Sequence, residues 1–233
     1  ALREAHARLY CIRISSLMRS DMENNQDSGL FAKTEKAAAH DCDAFLSHSW
    51  RDDPDLKWSK MLEFKAEFEG HNDGKEPNCW LDKACIDQSG DINASLKALP
   101  IFLLSSRYFA VFAGQSYTKR LWCAVEVFTF VRASGKLDSL ILKPLHADDV
   151  KAFARFDISR ADCFLREDKQ RLLAIVESSY SSIGQFNAAC RKILMSKLSL
   201  DEAPSSGEVP LAEEGGASER APKGKASARV APE

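Results

Sequence analysis

The chain has 233 residues, 45% hydrophobic and 28% charged, which suits one globular domain with tails. A formal net charge of -2 and a pI of about 6.3 leave no basic surplus for nucleic acid or an anionic membrane surface. No stretch reaches the roughly 18 apolar residues of a membrane span, so none is expected.

The first residue is Ala1 and no signal-peptide pattern follows, which predicts a fragment or processed product. The 7 cysteines (Cys11, Cys42, Cys79, Cys85, Cys123, Cys163 and Cys190) are odd in number and form no C-x-x-C pair. Free thiols in a reducing, cytoplasmic setting are expected, not a disulfide framework or a zinc site.

Residues 1–40 carry one weak helical pattern (Leu2, Leu9, Ile12) and then a polar stretch over 20–28, which predicts a helical or linker extension. Residues 41–198 alternate strand-like and helix-like segments. Residues 199–233 are mostly Ala, Pro, Gly, Ser, Glu and Lys. Too little apolar surface is present there to offset the entropy of ordering, so a disordered tail is expected.

Within the middle zone, the first strand is expected at 43–47 (DAFLS), followed by a charged loop over 50–55. A helix follows at 56–68. Trp58 and Leu62 lie on one side of it, and Met61, Phe64 and Phe68 on another. Residues 78–86 (NCWLDKACI) read as a second strand ending in a loop. Asp91 is placed to cap a helix over 92–99, which Pro100 is expected to break or kink; residues 101–104 stay open between helix and strand. Residues 108–113 (YFAVFA) are apolar on both faces, as a central parallel strand is. A polar loop over 114–120 leads to a helix over 121–131. A strand at 140–145 and helices at 150–156, 167–178 and 186–198 complete the domain.

This alternation predicts an α/β three-layer sandwich around a mostly parallel sheet. Ligands of such sheets bind beyond the carboxyl ends of the strands, here after Ser47, Asp82 and Ala113. Glu126 is the only charged residue in 121–131 (LWCAVEVFTFV). A bare buried carboxylate is expensive, so Glu126 either faces the cleft or pairs with Arg120, Arg132 or Lys83. The strand order aims it at the cleft side.

Three segments carry a resemblance. DAFLSHSW (43–50) resembles the first signature box of a TIR domain, the Toll/interleukin-receptor/resistance-protein fold. WLDKACID (80–87) stands in the place of that family's second strand and following loop. SYTKRLWCAVEVF (116–128) is similar to the plant-type pattern that carries the family's glutamate. The likeness covers about 41–145, and the whole string resembles a TIR-like group in protists. Two departures stand out. The Arg-Asp-x-x-Pro-Gly box is replaced by residues 85–91, where TIR domains often make their mutual contacts. The stretch 98–106, with Pro100, reads as a longer helix-to-strand connection than is usual.

The resemblance implies a flavodoxin-like, TIR-like fold and a signalling or innate-immune setting. It also implies self-association with other TIR domains and cleavage of NAD between nicotinamide and ribose, with Glu126 as the catalytic carboxylate. NAD would be substrate; no cofactor or metal is called for, and no metal-ligand spacing is present. The chain also lacks a G-x-G-x-x-G or Walker loop, which argues against holding NAD in the dehydrogenase manner.

Candidate substrate contacts follow from position. Trp122 is one turn before Glu126 and can wall the nicotinamide, although an aromatic there also suits the core. Ser47 and His48 end the first strand, within reach of ribose or phosphate. Arg51 is a phosphate ligand or a solvated charge beside Asp52 and Asp53. Asp82 can bond a ribose hydroxyl or cap a helix, and Tyr117 can touch ligand or anchor its loop. The alternative function is a non-enzymatic TIR-like interaction module in signal transduction. A deoxyribosyltransferase-like enzyme, which also uses a carboxylate, is a third reading.

Overall fold

The computed structural model describes residues 2–90, 92–133, 136–162 and 166–201. Six strands form one sheet in the order β2-β1-β4-β3-β5-β6. They are β1 (Tyr10–Arg13), β2 (Glu35–Lys36), β3 (Cys42–His48), β4 (Asn78–Trp80), β5 (Ser106–Ala113) and β6 (Leu140–Pro144). Strand β3 pairs in parallel with both β4 and β5, and β5 in parallel with β6. The α/β, mostly parallel architecture expected from the sequence is therefore present.

The connecting helices are α2 (Pro54–His71), α3 (Asp82–Cys85), α4 (Ile92–Leu104) and α5 (Leu121–Ala133). Along β5 successive side chains alternate between the two faces. Tyr108 and Phe112 meet Phe68 and Phe64 of α2, at 6.4 and 6.1 Å between ring centres. Phe109, between them in sequence, meets Phe130 of α5 at 5.1 Å. On that second face Trp80 stacks on Phe45 at 4.4 Å and touches Phe102 of α4 at 5.5 Å. Burial of such apolar rings is the main kind of favourable term in folding. The sheet is thus sandwiched between α2 and the α4–α5 layer.

In α2 the buried face is that of Met61, Phe64 and Phe68, and it also takes in Lys57. Leu62, on the other side, stays 43% exposed. The helix starts after Asp53, whose carboxylate accepts from the N–H groups of Asp55 (2.8 Å) and Leu56 (3.0 Å). Pro54 occupies the first turn, where no donor is needed.

Several expectations need correction. The N-terminal region, expected as a helical or linker extension, contributes two strands to the sheet. Only α1 (Leu2–His6) is helical, and β1 then pairs antiparallel with both β2 and β4, extending the sheet. A short apolar run such as Tyr10–Arg13 carries no reliable period of its own. The second strand stops at Trp80, short of Asp82, and the chain then turns into α3 where a loop was expected. Helix α4 runs through Pro100 to Leu104, because Leu99, Phe102 and Leu103 are all buried and their packing outweighs the lost backbone bond. Residues 101–104 are therefore helical and the connection to β5 is short, not long.

Helices α6 (Val150–Ala154), α7 (Arg166–Ser179) and α8 (Ile183–Asp201) follow β6. Phe186 of α8 meets Phe128 of α5 at 5.4 Å. The expected cap at Asp91 and the tail from residue 202 lie outside the described residues, as does Cys163. The other six cysteines are buried and free. Among the described residues no helix is long and apolar enough to cross a membrane.

Candidate active site

Helix α5 presents Glu126 toward the end of β3. The residue is 8% exposed, and its carboxyl accepts a short hydrogen bond from Ser47 Oγ. Ser47 Oγ in turn shares a 2.6 Å bond with the Tyr117 hydroxyl, at 1% exposure for Tyr117. Two hydroxyls and one carboxyl therefore form a chain running from the loop before α5, through β3, to α5. Burial pushes the Glu126 carboxyl up to about 8. The Ser47 bond opposes that rise, and the Asp82 charge adds to it. Burial likewise raises the Tyr117 hydroxyl well above its usual value.

No basic side chain among the described residues lies within ion-pair distance of Glu126. Lys83, one of the partners considered from sequence, instead donates to the backbone carbonyls of Asp21 (3.1 Å) and Asn24 (3.0 Å). Burial thus favours the protonated form of Glu126, which is held by the Ser47 hydroxyl and not by a cation.

His48 follows Ser47, and strand alternation sends it to the α2 face, away from Glu126. Both of its ring nitrogens are buried without a hydrogen-bond partner. Its Nε2 lies 3.8 Å from Asp82 Oδ1, and Trp50 sits edge-on to it at 4.2 Å. Burial pushes the imidazole down to about 4, against the pull of Asp82. Trp50 donates from Nε1 to Asp82 Oδ2 at 3.0 Å. The Lys57 and Lys83 ammonium groups lie 5.2 and 5.7 Å from the Trp50 ring centre. Lys57 is fully buried, donates to the Ser49 carbonyl at 3.1 Å, and is pushed down to about 8 by burial. The Asp82 side chain is 41% exposed, so it forms the rim between the two faces.

The β3–β5 junction is the point where strand order reverses, the usual ligand crevice of such sheets. Here it is bridged by Asp52, whose carboxylate accepts from Gly114 N (3.0 Å) and Ser116 N (2.9 Å). Ser49 and Ser116 hydroxyls join the same loops at 2.6 Å. The backbone donors that would meet an anion are thus already satisfied from within the chain. Arg51 is exposed and lines a cleft with Asp52, Ser116 and His146, none of which belongs to the Glu126 group. Trp122 is half-buried one turn before Glu126, packed against the core.

Of the residues expected at the site, Glu126, Ser47 and Tyr117 are in direct contact, and Asp82 senses the same carboxyl. Trp122 shares their helix; His48 and Arg51 lie elsewhere. Trp50, Asp52 and Lys57 were not anticipated. Lys57 precedes Met61 by four residues, so helical spacing alone places it on the buried face. The Asp52 contacts span more than sixty residues and leave no local signal. Among the described residues no group of His, Cys, Asp and Glu is arranged to hold a metal ion. No protein-family model matches the chain, and no curated protein matches it.

Proposed function

We propose that the chain is a TIR-like domain that hydrolyses NAD at the nicotinamide–ribose bond, in a cytoplasmic signalling or defence setting, with Glu126 as its carboxylate. One observation carries the reading: Glu126 is a buried carboxyl with no basic partner among the described residues, set at the ligand end of a parallel sheet. The chemistry asks for little more. The ribose C1′–N bond breaks and nicotinamide leaves as a neutral molecule with the bonding pair, so no general acid is required. Positive charge develops on the ribose, where a fixed carboxylate in a low-dielectric site stabilises it. Water then adds at C1′ and a proton is released.

The proton on Glu126 fits this sequence. NAD brings a cationic pyridinium, and a cation beside a carboxyl favours its ionised form. Binding therefore expels the proton that burial retains, and Ser47 and Tyr117 keep the carboxylate oriented. In this reading Asp82 takes a ribose hydroxyl and Trp122 walls the nicotinamide. Self-association with other copies would complete the enclosure.

Nicotinamide release by the purified protein at high concentration tests the reading. Glu126→Ala and Glu126→Gln are expected to lose on the order of 100-fold or more. Activity that survives either change removes Glu126 from its role. The enclosure of Glu126 favours a second reading, a non-enzymatic interaction module. A chain that self-associates yet releases no nicotinamide supports that one.

A further inference from the structure

Two clefts of about 370 and 360 Å³ lie beyond the carboxyl ends of β5 and β6. They share Gln115, Lys119 and Asp149, and neither includes Glu126, Ser47 or Asp82. Their size falls at the lower end of small-ligand sites, roughly 300–1,000 Å³. Asp149 is 2% exposed. Its Oδ2 accepts from His146 N at 2.9 Å, while its Oδ1 is buried with no hydrogen-bond partner. A buried carboxylate oxygen without a donor is costly, and such an orphan in a native chain calls for a partner.

Four more carboxylates line the clefts, but Asp52 and Asp53 accept from backbone N–H groups and Asp148 and Asp157 pair with Lys151 and Arg160, so the groups left to face a ligand are cations. Lys119 lies in both clefts, with Arg51 in one and Arg155 in the other; all three are exposed. None of the three is ion-paired among the described residues, whereas neighbouring Lys151 and Arg160 are paired with Asp148 (2.6 Å) and Asp157 (3.3 Å). A ligand that satisfies the site must therefore supply a hydrogen-bond donor to Asp149 and an anion to the cations. A simple anion lacks the donor, and a simple polyol lacks the charge.

We propose that these clefts form a binding site for a phosphorylated sugar, distinct from the Glu126 site. A sugar hydroxyl donates to Asp149 Oδ1. The phosphate is held by Lys119 together with Arg51 or Arg155, and charge-assisted bonds of this type are the strong ones. The inference stands whether or not the chain cleaves NAD.

Calorimetric titration of the full chain with ribose 5-phosphate, inorganic phosphate and ribose tests it. Ribose 5-phosphate is expected to bind, inorganic phosphate at least about tenfold more weakly, and ribose not measurably. Asp149→Asn keeps an oxygen for His146 N but replaces the orphan acceptor with a donor. It and Lys119→Ala are each expected to weaken ribose 5-phosphate about tenfold or more. Lys119 is exposed, so its variant keeps the test open should the Asn variant fail to fold. Three outcomes overturn the proposal: no binding of ribose 5-phosphate at millimolar concentration, equal binding of inorganic phosphate, or affinity unmoved by Lys119→Ala.

Discussion

Glu126→Gln is expected to flatten the rise and fall of stability with pH on its alkaline side. The folded chain holds this carboxyl at about 8, above its ordinary 4.5. A raised folded value means the stability is fully present below 4.5 and is lost as pH climbs through 8. The loss amounts to on the order of 3–5 kcal/mol by pH 9. Glutamine keeps the shape and an acceptor for Ser47 but cannot ionise. Relative to their difference near pH 4.5, the variant should therefore gain that amount over the parent by pH 9. His48 acts at the other end. Its folded value of about 4 lies below the ordinary 6.5, so its contribution is present above 6.5 and lost as pH falls through 4. It is common to parent and variant and cancels in the comparison. Urea unfolding at a series of pH values measures the difference, and parallel curves for the two proteins would contradict a buried, neutral Glu126.

The second large effect is at Gly114. A Cβ there would sit 2.6 Å from Asp52 Cγ and 2.8–2.9 Å from its carboxylate oxygens. Nothing in the backbone angle demands glycine; the demand comes from Asp52 approaching to accept from Gly114 N and Ser116 N. Gly114→Ala must push the carboxylate off both donors in a buried place. Bonds to charged groups contribute about 1.5–3 kcal/mol each, so a loss of about 3 kcal/mol or more is expected. The cause is separable by a double-mutant cycle. In an Asp52→Ala background the obstruction is gone, and Gly114→Ala should cost less than about 1 kcal/mol. An equal cost in both backgrounds would place the effect in the backbone instead.

Sequence pattern reached the parts of this fold that are locally determined. YFAVFA is apolar at every position, and only a strand covered on both faces buries 109–113 as fully as this one does. Glu126 stood out because ten uncharged neighbours surround it in an apolar helix. Its alternation partner, Ser47, followed from where β3 ends. The contacts that failed to show are those whose cause lies far along the chain. Strand β1 is defined by pairing with β4, some sixty residues away, not by its own period. Helix α4 survives Pro100 because Phe102 reaches Trp80. Lys57 is different: its spacing from Met61 puts it on the buried face of α2, but its partners, the Trp50 ring and the Ser49 carbonyl, come from the preceding loop and show only in the fold. Asp52 closing the β3–β5 junction is likewise a tertiary event.

The most direct measurement of the account is the titration of Glu126 itself, by the ¹³C shift of its carboxyl carbon in the free protein and with NAD bound. The free carboxyl should titrate near 8, and NAD should bring it down toward the ordinary 4.5 as the pyridinium settles beside it. A carboxyl that titrates near 4.5 with and without NAD, or one that stays near 8 when NAD is bound, would contradict it.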